Sequence, residues 1–165
     1  MYLPKYHCIL SINCVAAKLV VVFLLIAQIA YALQPGSYGI MLKRGGPQNL
    51  EPLGDSPNSP VIIGPAADSH WIVVPHVAGY YIQTETGLHL AVQGTIHANA
   101  QIIIDSRPQV WNLERGFGPE LFWISPEGHN QLVLDMSLLR IFPPRAALSN
   151  KRQDDLSQQW QLEPR

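Results

Sequence analysis

The residues able to do chemistry in this chain are few and scattered. Of 165 residues, 14% are charged, with 11 Lys and Arg against 12 Asp and Glu. Histidines stand at 7, 70, 76, 89, 97 and 129, and none pairs with another at metal-ligand spacing. There is no G-x-S-x-G, no H-E-x-x-H and no phosphate loop. The carboxylates form no pair that proposes glycoside hydrolysis, and the charge balance offers no basic face for nucleic acid. The expectation is a non-catalytic protein with no cofactor and no metal. Recognition chemistry remains. A carboxylate accepts hydrogen bonds from two neighbouring donors, a flat ring offers an apolar face, and an amide fixes orientation. Carboxamides recur in one setting, Gln109-x-Trp111 and Gln158-x-Trp160, with Ser69-x-Trp71 as a third variant.

Those tryptophans belong to a longer repeat, and repeats must be found before any other reading is made. An aromatic-x-Ile pair occurs at Tyr38/Ile40, Tyr80/Ile82 and Phe122/Ile124, at spacings of 42 and 42. Each pair is followed by a second short apolar stretch, NLEPLG, HLAVQG or LVLDMS. A third follows, PVIIG, QIIID or LRIFP, and then the tryptophan strand, HWIVVP, VWNLER or QWQLEP. Turn signals lie between them: RGGPQN, GDSPNSP, ETG and PEGHN. Pro and Gly are too dense for a long helix. The reading is all-β: three units of four strands, roughly 44 residues each, closing around a shared core. The units run over about 34–77, 78–117 and 118–165. Tyr38, Tyr80 and Phe122 are expected inside that core with Trp71, Trp111 and Trp160. Closure removes exposed strand edges, and the architecture is a β-trefoil with pseudo-threefold symmetry.

The first 32 residues read differently. They carry Lys5 and Lys18 and no acid, then the apolar run LVVVFLLIAQIAYA, then Ala30-Tyr31-Ala32. That is the layout of a secretory signal peptide, and the run is short for a membrane span of about 20 residues. Cleavage would leave a secreted domain over 33–165, without Cys8 and Cys14 and with no membrane attachment. Such a domain must hold itself by its core alone.

The three tryptophan strands, with PGSYGI near the start and QQWQLEPR at the end, resemble the ricin-B-type β-trefoil lectins, the fungal members most closely. The resemblance covers about residues 34–165 as a pattern of spaced residues. A second fungal family, the β-trefoil protease inhibitors, is similar in its PGxYxI…WxV…YxI…WxL skeleton. Either implies the fold; function must come from a site.

The lectin resemblance implies an acid in the second strand of a unit, an aromatic after the third, and an Asn-Gln pair before the final Trp. The first unit offers Glu51 beside Pro52, no aromatic near Gly64-Pro65, and Asp68-Ser69 before Trp71. The second has Ala91 in place of the acid and Asp105 in place of the ring, and keeps Gln109. The third offers Asp135 as acceptor, Phe142 with Pro143 as stacking platform, and Ser157 and Gln158 as support. One carbohydrate site is therefore expected, in the third unit, taking glycans of the galactose type. The inhibitor resemblance implies instead a rigid exposed loop that contacts an extracellular protease. The Pro-stiffened stretch Asp55, Ser56, Pro57 and Asn58 is the first candidate. Lys43-Arg44 and Lys151-Arg152 are basic pairs in expected loops, open to the same role or to proteolytic processing.

Overall fold

The structure, a computed structural model, describes residues 33–42, 48–65 and 68–165. The expected leader over 1–32 and the Lys43-Arg44 pair lie outside the described residues. Gln34–Arg165 forms one compact unit. It holds twelve strands: β1 (Gly36–Leu42), β2 (Gln48–Pro52), β3 (Val61–Gly64), β4 (Trp71–His76), β5 (Gly79–Gln83) and β6 (His89–Val92). They continue with β7 (Ile102–Asp105), β8 (Trp111–Arg115), β9 (Leu121–Pro126), β10 (Leu132–Met136), β11 (Ala146–Asn150) and β12 (Trp160–Pro164). Among the described residues there is no α-helix; a single 3-10 turn covers Leu156–Gln158.

Six strands pair into a closed ring. β1 pairs with β4 and with β12, β4 with β5, β5 with β8, β8 with β9, and β9 with β12. Closure leaves the ring without a free edge. Three hairpins, β2–β3, β6–β7 and β10–β11, complete the fold. Single bridges tie the hairpins to one another, at Pro60–Ile103, Ile62–Arg145 and Gln101–Ala147. The strands β3 and β7 are buried along their whole length because they lie where the hairpins meet. Their apolar stretches, Val61–Ile63 and Ile102–Ile104, accordingly read as continuous runs rather than alternating ones.

The core is built from the recurring residues. Ile40, Ile82 and Ile124, Leu50, Leu90 and Leu134, and Trp71, Trp111 and Trp160 are all fully buried. Each indole must satisfy its N–H in that setting. Trp71 Nε1 donates to the Leu50 carbonyl at 2.8 Å, Trp111 Nε1 to Leu90 at 2.8 Å, and Trp160 Nε1 to Leu134 at 2.9 Å. One donor–acceptor pair thus occurs three times and locks each tryptophan strand to the first strand of a hairpin, β2, β6 or β10. Removing an exposed tryptophan would cost little, but these three seal the chain.

Two expectations need correcting. Tyr38 and Phe122 are buried, but Tyr80 is only half-buried. The stretch LRIFP is not a strand. It lies in the loop between β10 and β11, and the third strand of that segment is Ala146–Asn150. Pro143 and Pro144 explain the shift. Neither can donate to a ladder, so pairing with β10 begins only after them.

Candidate functional site

The indole bonds fix which positions correspond. Glu51, Ala91 and Asp135 each follow the leucine whose carbonyl takes the indole N–H, and each faces the partner strand of its hairpin, at Ile62, Ile103 and Ala147. The three residues therefore share one backbone setting with different side chains. Their surroundings decide what each does.

Asp135 on β10 is 7% exposed. Its Oδ1 accepts from the Met136 amide at 2.7 Å. Its Oδ2 accepts from Gln158 Nε2 at 2.9 Å and from Arg152 Nη2 at 3.2 Å. A carboxylate that far from water needs such partners. Gln158 is fully buried, and its other contacts are equally fixed: Nε2 also donates to the Asn150 carbonyl, and Oε1 accepts from the Arg152 amide at 2.7 Å. The 3-10 turn positions Gln158 and Ser157. Asp155 caps that turn, accepting from the Ser157 amide at 2.8 Å and from Arg152 Nε at 2.8 Å. Hydrogen bonds from the Ser157 side chain, then from Arg152 and the Ser157 amide, hold the Asp155 carboxyl down to a pKa of about 2.

Asp135, Ser157 and Arg152 open onto a pocket of about 160 Å³ whose remaining walls are Leu42, Met136, Ser137 and Leu138. That is smaller than pockets that enclose drug-sized ligands, which run to roughly 300–1,000 Å³. It offers a carboxylate acceptor, a guanidinium donor, a hydroxyl and an apolar wall. Three of the four expected residues are thus brought together: Asp135 and Ser157 line the pocket, and Gln158 supports it from behind. Phe142 does not line it. It sits in the β10–β11 loop, 95% exposed. Leu138 and Met136 supply the apolar surface instead. Arg152 was read from the sequence only as half of a basic loop pair, and Asp155 was not singled out. The cap pattern Asp155-x-Ser157 was the signal that could have found the turn.

The other two hairpins differ as expected. At the second, Ala91 takes the acid position, and Gln109 Oε1 accepts from the Val92 amide at 2.8 Å; the corresponding amide in the third hairpin, Met136, goes to Asp135 Oδ1. Gln109 Nε2 is buried with no partner, because no carboxylate stands where Asp135 does. Asp105 is bound by Arg107, through Nε at 3.2 Å and Nη2 at 2.8 Å, which lowers its pKa. These residues line a second, wider depression of about 300 Å³. At the first hairpin, Ser69 Oγ donates to the Leu50 carbonyl. The Glu51 side chain lies over Gly64, which pairs with Asn49, in the space that a Cβ there would take.

The loop Asp55, Ser56, Pro57 and Asn58 is exposed. Asn58 takes a φ of 70° there, and its amide donates to Ile104 at 2.7 Å, so the loop is held against β7. Lys151 and Arg152 are both engaged, Lys151 with Glu114 at 2.6 Å and over the Trp123 ring, Arg152 with Asp135 and Asp155. Among the described residues, no group of three or more His, Cys, Asp and Glu converges on a common point, and no helix is long and apolar enough to cross a membrane.

No protein-family model matches the chain, and no curated protein matches it. Solved structures do. A ricin B-like lectin of Macrolepiota procera, in complex with lactose, is 18% identical, with a TM-score of 0.69 over 81% of this chain and 99% of that one. A designed three-fold symmetric protein, ThreeFoil, is also 18% identical, with a TM-score of 0.68 over 79% of this chain and 99% of that one. A proteinase inhibitor from Coprinopsis cinerea is 11% identical, with a TM-score of 0.61 over 81% of this chain and all of that one. The structural neighbours thus match both resemblances seen in the sequence, and the likeness shows the fold: an all-β chain of the β-trefoil type.

Proposed function

We propose that this chain is a secreted, non-catalytic carbohydrate-binding domain with one sugar site, at the β10–β11 hairpin. In this reading residues 1–32 are removed as a signal peptide. Residues 33–165 form three four-stranded units over about 34–77, 78–117 and 118–165. Asp135 accepts hydrogen bonds from two adjacent hydroxyls, Ser157 and Arg152 hold a further oxygen, and Gln158 keeps the carboxylate aimed. Leu138 and Met136 take the apolar face of the ring. Phe142 contributes as a platform only if the β10–β11 loop brings it over the bound sugar.

The observation that carries the reading is the contrast between Asp135 and Ala91. Both glutamines stand two residues before a buried tryptophan, yet only Gln158 donates to a carboxylate, and that carboxylate opens onto a small pocket with a hydroxyl and a guanidinium. A shallow single site gives weak binding, so avidity would depend on how many copies a surface presents. Galactose-type glycans are the first class to test.

The test is a glycan array probed with the purified protein, followed by competition with free lactose. Binding to a defined set of glycans, displaced by the sugar and lost in Asp135→Asn, is the expected result. That variant keeps the acceptor for Gln158 and removes the charge. No glycan signal from a folded protein would end this reading, as would a signal that Asp135→Asn leaves intact.

A further inference from the structure

Half of the exposed large apolar side chains among the described residues fall within five positions of the β10–β11 loop. Leu138 is 81% exposed, Leu139 58%, Ile141 40% and Phe142 95%, whereas Leu53, Val77 and Phe117 stand apart. Grouped exposure of this kind marks an interaction surface. The charge around it has one sign. Residues 136–153 include Arg140, Arg145, Lys151 and Arg152 and no carboxylate. Lys151 is paired with Glu114, and Arg152 with Asp135 and Asp155. Arg140 and Arg145 form no ion pair among the described residues. Arg140 is exposed at the apex of a three-residue turn, closed by the Ile141 amide donating to the Leu139 carbonyl at 3.0 Å.

The loop is pinned at its base. The Ser137 amide donates to the Arg145 carbonyl at 2.7 Å, and the Ile63 amide to the Pro144 carbonyl at 2.8 Å. Gln101 Nε2 reaches Ser137 Oγ at 3.2 Å, and Arg145 bridges to Ile62. The tip also has few backbone donors left to satisfy. Pro143 and Pro144 carry no N–H. The Leu139 amide donates to Ser137 Oγ, and the Ile141 amide is closed in the turn. Such a tip can leave water at a smaller cost than an open loop, because an unpaired N–H is expensive in an apolar layer.

From these observations we infer that the loop 137–145 docks on the surface of a bilayer rich in anionic phospholipid. Leu138, Leu139, Ile141 and Phe142 enter the interfacial layer, and Arg140 and Arg145 meet the headgroup phosphates. Other occupants fit less well. A second copy of the loop would set Arg140 against Arg140 with no acid between them. A folded partner would have to bring a shaped apolar groove and carboxylates together. An anionic bilayer offers an apolar layer beneath a negative surface and adapts to side chains that stand free on a loop tip. This is a reversible surface contact and not a span, and it departs from the sequence expectation of no membrane attachment. It does not rest on the sugar reading, because it makes no use of the Asp135 carboxylate. Leu138 also lines the pocket beside Asp135, so a seated loop holds that pocket against the membrane surface.

Co-sedimentation of the purified protein with glycan-free vesicles tests it. The expected result is binding to phosphatidylcholine–phosphatidylserine vesicles that exceeds binding to phosphatidylcholine alone and falls as salt rises. Phe142→Ala should weaken that binding about tenfold, the scale of one large apolar side chain. Arg140→Glu should weaken it by a similar factor, through charge. Both side chains are exposed, so both variants should keep the wild-type thermal unfolding midpoint. Asp135→Asn should bind the vesicles like the wild type, which separates a failure of this inference from a failure of the sugar reading. Three results would overturn the inference. One is no binding to the anionic vesicles by the folded protein. Another is binding that Phe142→Ala and Arg140→Glu both leave unchanged. The third is a Phe142-dependent dimer in sedimentation velocity without vesicle binding, which would make the loop a contact between copies.

Discussion

The carboxylate of Asp135 lines the pocket and ties the scaffold at once. It faces the pocket, and it also satisfies Gln158 Nε2 in the interior. Asp135→Ala should therefore abolish sugar binding and also lower stability, by about 1–3 kcal/mol, because a buried donor loses a charged acceptor. Chemical denaturation of the variant checks the second effect. The cost should fall at the low end, since Nε2 keeps the Asn150 carbonyl. Asp155 gives a pH test. Its folded pKa of about 2 lies below its ordinary value of 3.8, so it stabilises the fold above the ordinary value and loses that contribution as pH falls toward 2. Asp105 is shifted the same way by Arg107. The midpoint of thermal unfolding should drop between about pH 4 and pH 2, and Asp155→Asn should flatten that drop. An unchanged slope would show that the cap at the 3-10 turn does not contribute. At this scale the sequence was partly legible. Asp135, Ser157 and Gln158 were readable because they keep fixed distances from the repeat. The contact of Arg152 with Asp135 was not, because it spans 17 positions through a turn with no repeat signature.

At the level of elements, the indole-to-carbonyl bonds couple each tryptophan strand to a hairpin. Trp111→Phe removes one donor from a fully buried site and leaves the Leu90 carbonyl without its partner. It should cost about 1–3 kcal/mol from the unsatisfied group alone, measured by denaturant unfolding. Gly79 is a sharper case. It opens β5 at a φ of 145°, and a Cβ there would meet the Trp111 carbonyl oxygen at 2.4 Å, against backbone rather than a movable side chain. Gly79→Ala should destabilise by at least about 1–3 kcal/mol, the range for a strained backbone position. Gly87→Ala, with open space around it, carries only the strain of its own positive φ of 83° and should cost less. Eleven of the twelve strands fall where the repeat put them. The one misplacement, LRIFP for Ala146–Asn150, has a physical cause. The apolar residues Leu139, Ile141 and Phe142 face solvent, so hydrophobicity there does not report burial. The pair of prolines that follows was the better guide.

At the scale of the molecule, the ring of six strands and the three bridged hairpins give a scaffold that needs no disulfide among the described residues. Its loops are free to differ. One of them shapes the pocket beside Asp135. The closed ring was legible because core positions must repeat to fill one shared interior. The placement of an exposed loop or an open pocket has no such constraint, which is why Phe142 was read into the wrong setting. The central claim is that a sugar occupies the Asp135 pocket. A ¹⁵N–¹H NMR titration of the purified protein with lactose tests it most directly. The account expects saturable shifts of the Gln158 side-chain amide and of the Met136 and Arg152 backbone amides, with Ala91, Val92 and Gln109 unmoved. Shifts confined to the Ala91–Gln109 surface, or none at sugar concentrations that saturate weak lectins, would contradict it.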